Sequence, residues 1–219
     1  MRKQGKSIGS KKFGYPGRRT RATRERTMER RAMRPRILIV CEGGKTEPNY
    51  FLAFKVTNDV YGRGLETIRV VEEAIRLNEK EGPFDQVWCV FDKDDFPADD
   101  FDNAIKMAES RSDQRFHVAF SNESFELWYL LHFEYLQSAT SRDDYCAKLK
   151  RHLGSYAKGD VGNYEKMQSK GSEADAIRNA ESLLTIHAPG TPYSRCCPMT
   201  TVHELVKELR RVQGESKGD

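Results

Sequence analysis

A short apolar run that breaks abruptly into a charged, glycine-containing turn sets the first limit on this fold. Ile37-Leu38-Ile39-Val40 leads into Cys41-Glu42-Gly43-Gly44-Lys45-Thr46-Glu47-Pro48. Four consecutive apolar residues, three of them β-branched, suit a strand covered on both faces, as in a parallel sheet. Open α/β sheets place their chemistry at the carboxyl ends of such strands. The acids of this turn are therefore candidates for function.

The pattern recurs twice. Val87-Trp88-Cys89-Val90-Phe91 runs into Asp92-Lys93-Asp94-Asp95, and Phe116–Phe120 runs into Ser121-Asn122-Glu123. Helical stretches alternate with the strands: Asn49 to about Val56, with Pro48 in the first turn; Glu66 to Gly82-Pro83, with Ile68, Val71, Ala74 and Ile75 as its stripe; and Asp100–Ser110. Asn58–Gly64 reads as a loop or a short irregular strand. Ser124–Tyr135 is apolar nearly all round and belongs in the core. Asp143–Leu153, Glu173–Leu184 and Thr201–Val212 are the remaining helices, separated by Gly159–Gly162 and Pro189–Pro198. This alternation predicts an α/β fold, a parallel sheet flanked by helices. Residues 36–135 would form its core and 136–219 a mainly helical part packed on it.

The net charge of +4 hides an asymmetry. Residues 1–36 carry fourteen Lys/Arg against two Asp/Glu, leaving 23 basic and 31 acidic residues for the rest. An acidic body with a basic, disordered arm over residues 1–35 is expected, and such an arm suits phosphate neutralisation or plain solubility. No apolar run reaches the length of a membrane span, and the amino terminus lacks the apolar segment of a secretory signal. Five cysteines without C-x-x-C spacing indicate neither a disulfide framework nor zinc, and suit a reducing cytoplasm.

If the strands are parallel, Glu42 and Glu47, then Asp92, Asp94 and Asp95, then Asn122 and Glu123 share one sheet edge, with Glu126 one turn into the next helix. Carboxylates crowded together repel one another and take up protons unless a cation intervenes. Oxygen ligands alone favour Mg²⁺ or Mn²⁺. Each acid also has a plainer reading as a helix-terminal or solvated residue. Asp92 and Asp94 resist it, because D-x-D directly after a buried strand aims two carboxylates at one place. Gly43-Gly44-Lys45-Thr46 is no phosphate loop, since G-x-x-x-x-G-K-[ST] requires glycine where Ile39 stands. A haloacid-dehalogenase site normally has Thr or Val where this chain has Phe96. A Toprim site, with one Glu after the first strand and D-x-D after a later one, fits the layout.

Three blocks resemble the RloB family: Ile37–Gly43 with Lys45–Phe51, Val87–Phe96, and Ser121-Asn122-Glu123-Ser124-Phe125-Glu126-Leu127-Trp128-Tyr129-Leu130-Leu131-His132-Phe133. Glu123 replaces the family's usual proline. Tyr156-x-Lys158 and Pro198-x-Thr200-Thr201-Val202 also match. The resemblance, from about Arg36 to Leu209, implies a Toprim-like fold in a bacterial abortive-infection system. It further implies a metal-dependent nuclease acting on nucleic acid (tRNA, other RNA or DNA) with an RloA-like ATPase of the AAA/ABC type. By position, Glu42, Glu47, Asp92 and Asp94 would bind Mg²⁺ or Mn²⁺, with Glu126 as a further ligand or acid. Lys45, Lys93 or Lys158 would answer charge on the phosphate, each with a solvated surface lysine as its alternative. His132 lies on another helix face and is expected in the core or at the helix end. The competing class is a non-catalytic Toprim-like subunit that binds nucleic acid or its ATPase.

Overall fold

The computed structural model describes residues 35–56, 58–111 and 115–215, so the expected basic arm lies, up to residue 34, outside the described residues. The three apolar runs form strands β1 (Ile37–Cys41), β3 (Gln86–Asp92) and β4 (Phe116–Asn122). With β2 (Asn58–Gly62) they make a parallel sheet ordered β2-β1-β3-β4. A two-residue β5 (Met199–Thr200) joins β4 antiparallel, Thr200 opposite Ser121. Among the described residues the fold is α/β, a five-stranded and mostly parallel sheet flanked by eight helices.

Alternation along each strand divides the core between two faces. Ile37, Ile39, Cys41, Trp88 and Val90 turn toward α1 (Thr46–Leu52), α4 (Glu126–Leu130), α5 (Arg142–Leu153), α6 (Asn163–Lys170), α7 (Glu173–Thr185) and α8 (Val202–Glu215). Leu38, Val40, Val87, Cys89 and Phe91 turn toward α2 (Thr67–Glu81) and α3 (Ala98–Glu109). Both faces of β1 are covered, which is why its sequence is continuous rather than alternating. Each large apolar side chain so buried contributes about 1.5–3 kcal/mol before entropy is counted. The first face is rich in rings: Tyr50 meets Phe51, Phe54, Phe125, Trp128, Tyr129 and Tyr164 at centroid separations of 5.4–6.5 Å.

Several expectations are corrected. Of the two readings of Asn58–Gly64 the strand holds, but it is regular, Asn58–Gly62 pairing with the whole of β1 although its sequence is polar. At the sheet edge it needs no continuous apolar run, and Val60 and Tyr61 are only partly buried. The apolar segment 124–135 is helical only over Glu126–Leu130. Beyond it, His132 and Phe133 donate to carbonyls three residues back. Asn179 donates to the Leu131 carbonyl and Ser172 to that of His132, so these acceptors are satisfied without more helix. Helix α6 was not expected, because Tyr164 and Met167 give it little apolar stripe.

The described residues of segments 36–135 and 136–215 share one core, since β5 enters the sheet and α5–α8 pack on one of its faces. Beside β5, the threonines close the outer edge of β4. Thr201 Oγ1 accepts the Phe120 N–H at 3.0 Å and donates to the Val118 carbonyl at 3.3 Å, while Thr200 Oγ1 donates to the Phe120 carbonyl at 3.0 Å. Among the described residues no helix is long and apolar enough to cross a membrane.

Candidate functional site

Parallel pairing brings the carboxyl ends of β1, β3 and β4 to one edge, where Asp92 lies close enough to Glu42, Glu47 and Glu126 for their charges to act on it. Glu42 follows β1 directly. Its N–H donates to the Val90 carbonyl at 2.8 Å, and its Oε2 accepts the Asp92 N–H at 3.1 Å, fastening the end of β1 to that of β3. Asp92, the last residue of β3, is buried and its Oδ2 accepts the Phe125 N–H at 3.0 Å. The residue before α4 is thereby held against β3.

Glu47 lies in the first turn of α1 and is buried, with Oε2 unpartnered among the described residues. Gly43 makes room for it: a Cβ at that position would collide with both Glu47 carboxylate oxygens. Glu126 opens α4 and is 0% exposed. Its Oε1 accepts the Tyr156 hydroxyl at 2.9 Å and lies 3.8 Å from Lys158 Nζ, while Oε2 has no partner among the described residues.

Burial is the largest influence on Glu42, Glu47 and Asp92, and it raises all three. Asp92 is pushed well above the usual carboxylate range by desolvation and by Glu47, Glu126 and Glu42. Glu47 is raised by burial against the opposing pull of Lys158 and Arg142. Burial lifts Glu42 from 4.5 to about 7, although the Asp92 N–H pulls it down.

The remaining candidates are placed differently. Asp94 has a left-handed backbone, φ 43°, and donates its N–H to the Glu123 carbonyl at 3.0 Å. Its carboxylate is paired with Arg142. Lys93 turns back on its own loop, donating to the carbonyls of Phe96 at 2.6 Å and Asp94 at 3.2 Å. Lys45 is exposed and lies along Gly159, and Asn122 donates to the carbonyls of Tyr193 and Ser194. His132 is buried beside Trp128, with Nδ1 3.0 Å from the Trp128 carbonyl. Arg142 and the link from Tyr156 to Glu126 were not anticipated as site features. Tyr156 stood in the Tyr-x-Lys block, but no spacing pointed to Arg142.

A family model described as RloB-like protein matches residues 37–209. The chain belongs to the RloB-like proteins. No curated protein and no solved structure matches it.

Whether this RloB-like protein suits a divalent cation is a question for its own atoms. Among the described residues no three His, Cys, Asp or Glu side chains are arranged to hold a metal as they stand. The chemistry of the donor set nevertheless fits: Glu42, Glu47, Asp92 and Glu126 are oxygen donors only, and two of them carry buried oxygens lacking partners. Such groups cost free energy until something satisfies them. Asp94 stands apart because Arg142 already answers its charge.

The raised carboxyls make a stability prediction. Between 4.5 and about 7 the folded RloB-like protein keeps a proton on Glu42 that the unfolded chain releases. Metal-free stability from this group is present below pH 4.5 and is lost as pH rises through about 7. The shift is equivalent to roughly 3 kcal/mol. Melting in EDTA should therefore fall between about pH 5 and 8, and Glu42→Gln should flatten that fall. An unchanged slope in the variant would remove Glu42 as its source.

Proposed function

We propose that this protein is a divalent-metal-dependent nuclease that hydrolyses phosphodiester bonds in nucleic acid. The observation that carries the reading is the gathering of Glu42, Glu47, Asp92 and Glu126 at one sheet edge, raised or unpartnered in isolation and bordered by Arg142 and Lys158. An anionic substrate approaching bare carboxylates would be repelled, whereas the same carboxylates with a bound cation would attract it.

Glu42, Glu47 and Asp92 would hold Mg²⁺ or Mn²⁺, with Asp94 joining if its ion pair opens. A cation held there supplies Lewis acidity at a phosphate oxygen and makes a bound water more acidic. Glu126 is oriented by Tyr156 at one oxygen, leaving the other to hold a proton of the attacking water. Lys158, 57% exposed at its side chain and 3.8 Å from Glu126 Oε1, would meet the phosphate at the border of the site. Lys93 is proposed no longer as the residue at the phosphate, because its ammonium is engaged by backbone carbonyls. Membership of the RloB-like proteins supports an ATPase partner, RloA-like in kind, and a role in abortive-infection defence against phage.

One observation favours a second reading, a non-catalytic subunit that binds nucleic acid or the ATPase: no three of the described acids are set to hold a metal. Incubating the protein with tRNA, single-stranded DNA and duplex DNA, with Mg²⁺, Mn²⁺ or EDTA and with or without the ATPase, separates the two. The nuclease reading expects metal-dependent cleavage of at least one substrate, reduced about 10²-fold or more in Glu42→Ala. Cleavage in EDTA, or full activity in Glu42→Ala, would overturn it. Binding without cleavage in every condition would establish the second reading.

A further inference from the structure

The reading above lets Asp94 join the metal only if its ion pair with Arg142 opens, and gives Arg142 no role once it does. Arg142 is the first residue of α5, forty-eight positions beyond Asp94 in sequence. A cation is disfavoured at a helix amino terminus, where the peptide dipoles already present positive charge. The local sequence offers compensation in Asp143 and Asp144, yet Arg142 pairs with Asp94. Its Nε is buried with no hydrogen-bond partner among the described residues. It lies near enough to Glu42 and Glu47 to oppose the rise of both.

The two ends of this pair differ in freedom. Asp94 is fixed by its backbone: its φ is left-handed, its N–H is bonded to the Glu123 carbonyl, and its own carbonyl is held by Lys93. The carboxylate has only a short side chain with which to turn away. The backbone of Arg142 is also fixed, because the Ser141 side chain accepts the Asp144 N–H at 3.2 Å and caps the helix. Its side chain, however, is long, has several rotatable bonds and is 32% exposed. If a cation claims Asp94, the guanidinium is the part that moves.

We propose that Arg142 is a substrate-phosphate-binding residue stored on Asp94, released from it when a divalent cation takes that carboxylate. Stored, it neutralises one acid of a crowded edge and competes with the cation. Released, it is a planar donor fork within reach of the phosphate that the cation brings in, the geometry that arginine matches better than lysine. Metal loading and phosphate capture are then coupled through one side chain. This inference rests on the metal-dependent reading of the site.

Calorimetric titration of Mn²⁺ into wild-type protein, Arg142→Gln, Arg142→Lys and Asp92→Asn, without nucleic acid, tests it. Removing the competitor should tighten Mn²⁺ binding by about fivefold or more in Arg142→Gln. Arg142→Lys keeps the charge and should bind no more tightly than wild type. Cleavage by Arg142→Gln should fall about 10²-fold despite the tighter metal. Unchanged or weaker Mn²⁺ binding in a folded Arg142→Gln would overturn the storage role, and unimpaired cleavage would overturn the phosphate role. If Arg142→Gln does not fold, tighter Mn²⁺ binding by Arg142→Lys would overturn competition by charge, and full cleavage by that variant would overturn the need for the fork. Should neither wild type nor Arg142→Gln bind Mn²⁺, the metal reading itself fails. Binding by wild type that is lost in Asp92→Asn but not improved in Arg142→Gln fails this inference alone.

Discussion

Asp92→Asn is expected to lower metal-dependent cleavage by about 10³-fold or more while making the metal-free protein more stable. The substitution preserves volume and leaves an oxygen to accept the Phe125 N–H, so the link between β3 and α4 is kept. It removes the buried carboxyl that desolvation and three neighbouring acids push well above the ordinary range. A carboxyl raised in the folded chain disfavours folding once the pH lies above its ordinary value, because the native state must either keep a proton that the unfolded chain releases or bury the charge. Asparagine abolishes that cost, for a gain of about 1–2 kcal/mol that should grow with pH. Chemical denaturation of the metal-free variant and a cleavage assay measure the two halves. A variant that is both inactive and less stable would mark Asp92 as a structural residue, because a functional acid held against its solvation should oppose folding.

The second large effect lies in the ring cluster. Tyr50→Ala should destabilise the protein by about 3–5 kcal/mol, since it empties a site lined by six aromatic side chains. The loss reaches the site, because Tyr50 shares α1 with Glu47, three residues earlier. Metal affinity should fall with stability. Leu52→Ala on the same helix is the control. Leu52 is 53% exposed, and its loss should change stability by about 0.5 kcal/mol or less. Equal losses from the two variants, read by urea denaturation, would show that helix propensity rather than ring packing holds α1.

Much of the fold could be read from the chain because its signals are local. Ile37–Val40, Val87–Phe91 and Phe116–Phe120 each carry their own pattern, and the acid after each strand is located once the strands are parallel. The missed features depend on distant partners. The shortness of α4 follows from Asn179 and Ser172 capturing the Leu131 and His132 carbonyls, which its apolar sequence does not reveal. Arg142 belongs to a charged run, Ser141–Asp144, that reads as an ordinary helix start, and only the folded chain sets it against Asp94. Lys93, one of three lysines considered for the phosphate, is likewise placed only by the folded loop, where it donates to the Phe96 carbonyl three residues on.

The threonine pair beside β4 carries a different consequence. An uncovered outer strand is a template on which another chain can lay its own backbone, the first step toward aggregation. Around Phe120 that template is blunted by hydroxyls: Thr201 takes the amide hydrogen and supplies one to Val118, and Thr200 supplies another to Phe120. A two-residue strand and two short side chains thus occupy positions that would otherwise need a long partner strand. The Thr200-Thr201 part of the Pro-x-Thr-Thr block is spent on the backbone of β4. With those bonds made, the Phe120 amide and the Phe120 and Val118 carbonyls are already answered when another strand draws near.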